Sequence, residues 1–120
     1  MKNYTDLEQS KKLAEILPLE SADMRYGYIA YDGGYDEIPY PKDFLIKNPS
    51  FSANEYDAEL PCWSLAALLN ALPNGIVINK DSRNGKYHVS STHIGTYIKE
   101  DNPIDACVEL ILKLYELKML

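Results

Sequence analysis

The sequence predicts an α+β domain. A small antiparallel sheet, built from a hairpin over about 76–91 and a third strand over about 94–99, is packed by an N-terminal helix, a short middle helix and a C-terminal helix. Three observations predict it. Leucines recur at helical spacing near the N-terminus and over 65–72, and the last segment is apolar except for one stripe. The β-branched run Ile76-Val77-Ile78 precedes Asn84-Gly85, a pair suited to a hairpin turn. At 120 residues, 46% hydrophobic and 25% charged, the chain has the size and composition of one soluble globular domain.

In the first element, Thr5-Asp6-Leu7-Glu8 reads as a capping box, with Thr5 as the cap and Glu8 reaching back. Leu7, Ser10, Leu13, Ala14 and Leu17 follow at helical spacing, and Pro18 stops the run. The predicted helix covers about 6–17. Residues 24–31 have the aromatic and β-branched content of a strand. Asp32-Gly33-Gly34 then supplies turn chemistry for a short hairpin. Residues 38–60 read as irregular, because Pro39, Pro41 and Pro49 and several Asn, Asp and Ser residues break any period. A loop of that length in a small domain is commonly functional or an oligomer contact.

Ser64 caps the second predicted helix, which carries Leu65, Leu68, Leu69 and Leu72 on one face. Pro73-Asn74-Gly75 ends it. A two-residue loop at Asn84-Gly85 sets Lys80 opposite Val89 and Ile78 opposite Ser91. Ile76, Ile78, Tyr87 and Val89 then share the core face. The last helix has Asn102 as cap, Pro103 in its first turn and Asp105 near its positive end. Asp105, Glu109, Lys113 and Glu116 form one narrow polar stripe in a helix that runs towards Leu120. Such a helix packs on the sheet and on a second surface, which is either another part of this chain or another copy of it.

The formal net charge is −6, from 18 acidic and 12 basic residues. All of it lies in residues 19–60, where nine acids meet only Arg25, Lys42 and Lys47; both flanks sum to zero. The same segment holds Tyr26, Tyr28, Tyr31, Tyr35, Tyr40 and Tyr56, six of the ten tyrosines. The domain therefore reads as neutral, patterned flanks around an acidic Tyr/Pro-rich segment at 19–60. The acidic balance argues against a nucleic-acid partner, although Lys80, Arg83 and Lys86 offer a local basic spot. No apolar run reaches the length of a signal peptide or a membrane span, so the expected setting is cytoplasmic with no membrane partner. Cys62 and Cys107 have no metal-type spacing and read as free, buried thiols.

Few residues carry the types and spacing that catalysis needs. Cys62 precedes a helix start, and His88 and His93 lie on or near the hairpin, so a Cys/His dyad is one reading. The competing reading makes Cys62 a small buried hydrophobe beside Trp63 and the histidines strand surface residues. An odd separation points His88 and His93 to opposite faces of a straight strand. The stretch Asn79-x-Asp81-x-Arg83-Asn84 fails as a calcium loop after its second ligand position. Asp32, Asp36, Glu37, Glu55, Asp57 and Glu59 read as a solvated acidic surface rather than a metal site. No glycine loop suited to phosphate is present, and no cofactor is expected. The tyrosines Tyr26, Tyr28, Tyr31, Tyr35 and Tyr40 are the candidate binding patch, for a basic protein, a peptide or a sugar. Their structural alternative is to cover the core.

Three stretches carry a resemblance. They are Glu8-Gln9-Ser10-Lys11-Lys12-Leu13 with Ser21-Ala22-Asp23-Met24; Leu60-Pro61-Cys62-Trp63-Ser64-Leu65-Ala66-Ala67-Leu68-Leu69 with Leu72-Pro73; and Asp101-Asn102-Pro103-Ile104-Asp105-Ala106. Together they resemble a group of small proteins from phages and prophage-like elements of gut bacteria. The resemblance implies a mobile-element origin and an intracellular setting. It lends no activity and no catalytic residue.

The sequence reading favours a non-catalytic protein that binds a protein partner or itself. The alternatives are a small hydrolase using Cys62 with His88 or His93, and a carbohydrate-binding protein using the tyrosine cluster.

Overall fold

The computed structural model describes residues 2–31, 34–41, 60–95 and 97–120, with the backbone alone for 27–31 and 34–41. Within them the α+β class holds, with one sheet more than the single one expected. The order is α1 (Leu7–Ala14), a 3-10 turn (Leu19–Ser21), β1 (Met24–Tyr31), β2 (Gly34–Pro41), β3 (Pro61–Cys62), α2 (Leu65–Ala71), β4 (Ile76–Lys80), β5 (Tyr87–Ser91), β6 (Tyr97–Glu100) and α3 (Pro103–Glu116). One antiparallel sheet has the order β2-β1-β3 and the other β4-β5-β6.

Helix α1 starts one residue later than the sequence predicts. Asp6, not Thr5, is the cap: its Oδ1 accepts from the Gln9 amide at 2.8 Å, and Gln9 Oε1 accepts from the Asp6 amide at 3.1 Å. Thr5 is drawn into the interior instead. The helix also stops early, at Ala14. Pro18 bars the residue before it from helical backbone, and Leu17 reaches the core from beyond the helix end.

The hairpin of β1 and β2 pairs eight residues on each strand, from Met24 opposite Pro41 to Tyr31 opposite Gly34. Residues 38–41, read from sequence as irregular, thus belong to a strand. Pro39 and Pro41 are tolerated because β2 is a sheet edge, where a missing N–H disrupts no ladder. The rest of the segment expected to be irregular, residues 42–59 with Glu55, Tyr56, Asp57 and Glu59, lies outside the described residues, as does Asp32.

The two-residue strand β3 had no sequence signal, yet it joins the layers. On one side Met24 and Arg25 pair with Cys62 and Pro61. On the other side Tyr4 bridges Ser64, and the Thr5 amide donates to the Trp63 carbonyl at 2.9 Å. Helix α2 follows at once. Ser64 caps it as predicted, accepting from the Ala67 amide at 3.3 Å. Asp23 holds the cap in place, accepting from the Ser64 amide at 3.0 Å and bonding to its hydroxyl. Of the four leucines expected on one face, Leu68 and Leu72 are buried and Leu69 is exposed.

In the second sheet the pairing is offset by two residues from the predicted register. Ile78 faces Val89 and Lys80 faces Tyr87. The turn spans Ser82–Gly85 and is closed by Asp81 N to Lys86 O (2.8 Å) and Gly85 N to Asp81 O (2.9 Å). Positive φ is needed only at Gly85, at 70°, so this is not the two-residue turn that Asn84-Gly85 suggested. Asp81 and Asn84 win instead by bonding ahead along the backbone, to the amides of Arg83 and Lys86 at 2.8 and 2.9 Å. The predicted core face survives, because a two-residue slip restores the same side of a strand. Val89 is fully buried, and Ile76, Ile78 and Ile98 pack against the core. Gly75 is required where α2 hands over to β4. Its φ is 87°, and a Cβ there would sit 2.4 Å from Thr92 Oγ1.

Helix α3 packs on β5 and β6 and on α2 and α1. Its second surface is therefore this chain itself over the buried stretch Ile104–Leu114. Asn102 Oδ1 caps it, accepting from the Asp105 amide at 2.9 Å. Asp105 also ties in the N-terminus: Lys2 Nζ and Gln9 Nε2 each lie 2.8 Å from its Oδ1, and Asn102 Nδ2 donates to its Oδ2 at 2.7 Å. Burial alone would raise the Asp105 pKa, but these donors outweigh it and hold the carboxyl below the usual range. The helix ends at Glu116 rather than continuing to Leu120. Lys118 turns left-handed (φ 59°), and the Lys118 and Met119 amides bond back to Tyr115 and Leu114 at 3.0 and 2.8 Å. This reversal leaves Tyr115 and residues 117–120 exposed.

Candidate functional site

Cys62 occupies the junction of β3 and α1, and no group among its described neighbours activates it as a nucleophile. Its residue is fully buried. The thiol lies 3.5 Å from the Thr5 carbonyl and 3.7 Å from Thr5 Oγ1. Burial raises its pKa, and the neighbouring Thr5, Tyr26 and Ser10 groups offset that only in part. A thiol held protonated and shielded from solvent is poorly reactive. His88 lies on β5, paired opposite Asn79 on β4 and Lys99 on β6, and His93 is exposed in the turn after β5. Neither histidine is among the groups that bond to Cys62 or shift it. Because His93 lies beyond the strand, the odd-spacing argument does not apply to it.

Cys107 is likewise fully buried, its pKa pushed up to about 11 by burial, and neither cysteine is in a disulfide. The expected result of alkylation with iodoacetamide at pH 8 is that Cys62 reacts only as fast as the chain opens, orders of magnitude more slowly than in denaturant. Labelling of the native chain at or above the rate of a free thiol would restore the nucleophile reading.

Tyr26 is a core lid rather than part of an open patch. It is 4% exposed, its hydroxyl donates to the Thr5 carbonyl at 2.6 Å, and burial raises its pKa. In the strand register Tyr28 stands opposite Glu37, Tyr31 opposite Gly34, Tyr35 opposite Ala30 and Tyr40 opposite Arg25. The side chains of these four tyrosines lie outside the described residues. The local basic spot is partly neutralised: Arg83 pairs with Asp81 at 3.4 Å, Lys86 with Asp101 at 3.3 Å, and Lys80 stands over the Tyr87 ring. Among the described residues no three His, Cys, Asp or Glu side chains are grouped to hold a metal ion, and no helix is long and apolar enough to cross a membrane.

Among the described residues two concave surfaces stand out, and neither is singled out by the sequence. The first is an apolar groove of about 340 Å³ where the ends of three elements meet. Ile16, Leu17 and Pro18 after α1, Ala71 and Pro73 at the end of α2, and Tyr115 and Leu120 at the end of α3 line it. Tyr115 (54% exposed), Leu117 (45%), Met119 (41%) and Leu120 (43%) stand in water beside it. The sequence signal was the apolar content of 114–120, which continues past the point where the helix stops.

The second surface is a polar pocket of about 380 Å³ on the second sheet, lined by Asn79, His88, Ser90, Ser91, Tyr97 and the turn residues Ile94 and Gly95. Asn79, His88, Ser90 and Tyr97 fall on the face opposite Ile78 and Val89, which pack towards the core, whereas Ser91 belongs to the buried side of β5. The His88 and Tyr97 rings are stacked, with centroids 5.3 Å apart and planes 10° from parallel. His88 Nε2 is buried with no hydrogen-bond partner among the described residues and lies 3.8 Å from Asp81 Oδ2. The Asp81 carboxyl is held below the usual range, chiefly by hydrogen bonds from the Arg83 amide and side chain. The signal in sequence was the polar half of the alternation in β4 and β5; Tyr97 completes the surface only through pairing of β6.

No protein-family model, curated protein or solved structure matches this chain.

Proposed function

We propose that the chain works by binding a protein, and that its partner at the apolar groove is a second copy of itself. The observation that carries this reading is the groove with its exposed side chains. Large apolar groups left in water beside a concave apolar surface are the mark of an interaction site. The arrangement also suits a two-fold contact, in which one patch must complement itself. The receiving surface (Ile16, Leu17, Pro18, Pro73) and the projecting side chains (Tyr115, Leu117, Met119) lie side by side at one end of the molecule. Glu116 and Lys118 border the same end, so each copy brings an acid and a base to the rim. The inert setting of Cys62 supports a binding role over hydrolysis. A mobile-element origin belongs to the same proposal and rests on the sequence resemblance alone.

Sedimentation velocity over a concentration series tests it. The native chain is expected to shift from monomer to dimer, and the double variant Tyr115→Glu, Leu120→Glu to stay monomeric with its thermal stability unchanged. Both side chains are largely exposed, so the variant leaves the core intact. A native chain that stays monomeric throughout, or a variant that dimerises equally well, overturns the reading.

A further inference from the structure

The polar pocket on the second sheet does not depend on the groove, and it has the make-up of a small-ligand site. We propose that it binds a neutral, hydroxylated ring of monosaccharide size, with the ring lying against Tyr97 and its hydroxyls meeting Asn79, His88 and Ser90.

Size comes first. A volume of about 380 Å³ falls at the small end of ligand pockets, which span roughly 300–1,000 Å³. The lining chemistry comes next. The amide of Asn79, the hydroxyl of Ser90 and the imidazole of His88 are groups that both donate and accept, as sugar hydroxyls do. Among the described residues that line the pocket there is no Lys, Arg, Asp or Glu. An anion or a cation would therefore find no fixed countercharge in its wall, whereas a neutral ligand needs none.

The aromatic component is the third point. Tyr97 is 61% exposed although it sits in a paired strand. Its ring is not loose, because His88 stacks on it. His88 Nε2 lies 3.8 Å from Asp81 Oδ2, beyond hydrogen-bond reach. The result is an aromatic shelf open to solvent, beside hydrogen-bonding groups from two other strands. Rigid aromatic rings give contact area at little entropic cost, and the apolar C–H face of a sugar ring matches them. Ile94 closes the pocket from the turn and adds an apolar wall. This pocket is separate from the tyrosine cluster that the sequence singles out, of which only the Tyr26 side chain is described.

The test is a heteronuclear NMR titration of the full chain with methyl glycosides of glucose, galactose and N-acetylglucosamine in turn, with inorganic phosphate and adenosine in parallel. The expected result is saturable shifts at Asn79, His88, Ser90 and Tyr97 with at least one glycoside, at millimolar concentration as is usual for a site this small. Tyr97→Ala is expected to weaken that binding about tenfold, the loss of one good aromatic contact. Asn79→Ala, at a second exposed position, is expected to weaken it as well with the fold intact. Three outcomes overturn the proposal: no saturable shift with any glycoside, glycoside binding that neither variant weakens, or saturation of the pocket by phosphate or adenosine alone.

Discussion

Trp63→Ala is expected to cost about 3–5 kcal/mol of folding stability, close to the full margin of a small domain. The indole is completely buried and belongs to the hydrophobic core. Its removal loses the transfer energy of the largest core side chain and leaves a cavity that rigid neighbours cannot fill. It also breaks a link between layers. Trp63 Nε1 donates to Ser21 Oγ at 3.0 Å, and Ser21 Oγ donates to the Pro18 carbonyl at 2.6 Å, so the ring fixes the 3-10 turn to β3. Urea denaturation followed by circular dichroism measures the effect as a fall in midpoint. A loss below about 1 kcal/mol would mean that the site collapses around the missing ring and that Trp63 is not the anchor of this core.

Thr5→Val is expected to cost about 2–4 kcal/mol although it changes the side-chain volume little. The hydroxyl is fully buried and serves three neighbours. It accepts from the Trp63 amide at 3.1 Å, pairs with Ser10 Oγ at 2.8 Å and lies 3.7 Å from Cys62 Sγ. Valine leaves the buried Trp63 amide without its side-chain acceptor and removes one of the bonds of the buried Ser10 hydroxyl, and an unsatisfied buried group costs roughly 1–3 kcal/mol. A double-mutant cycle separates this from simple packing. Ser10→Ala is expected to cost less in the Thr5→Val background than in the native chain, because the shared bond is already gone. Additive losses would show that Thr5 and Ser10 act independently.

These two residues also show where sequence reasoning stops. Thr5 followed by Glu8 is a sound capping box in isolation, but Asp6 with Gln9 forms an equally sound one. The choice between them was made by the strand segment 61–64, which claims Thr5 for the interior through both its backbone and its hydroxyl. The segment lies more than 50 positions away in the chain, so no local pattern could reveal it. Ser64 and Asn102 compete with no such rival, and both cap their helices as read. Pro39 and Pro41 argued against a strand, and only the edge position of β2 makes them acceptable. Register in the second hairpin was misread by two residues, yet its core face was right, since period-two alternation is insensitive to that error.

The amino-acid sequence by itself determined the α+β class, the three helices, the core face of β4 and β5 and the burial of both cysteines. Each follows from short-range periodicity, capping chemistry or hydrophobic content. The tertiary structure alone decided which polar and aromatic groups meet. It separated Cys62 from the histidines by assigning them to different layers, turned Tyr26 into a core lid, and stacked His88 on Tyr97. It also ended α3 early enough to leave an apolar groove open. The physical reason is the same in each case: a shared site depends on strand order, register and helix ends, and these are set by packing energy summed over residues far apart in the chain.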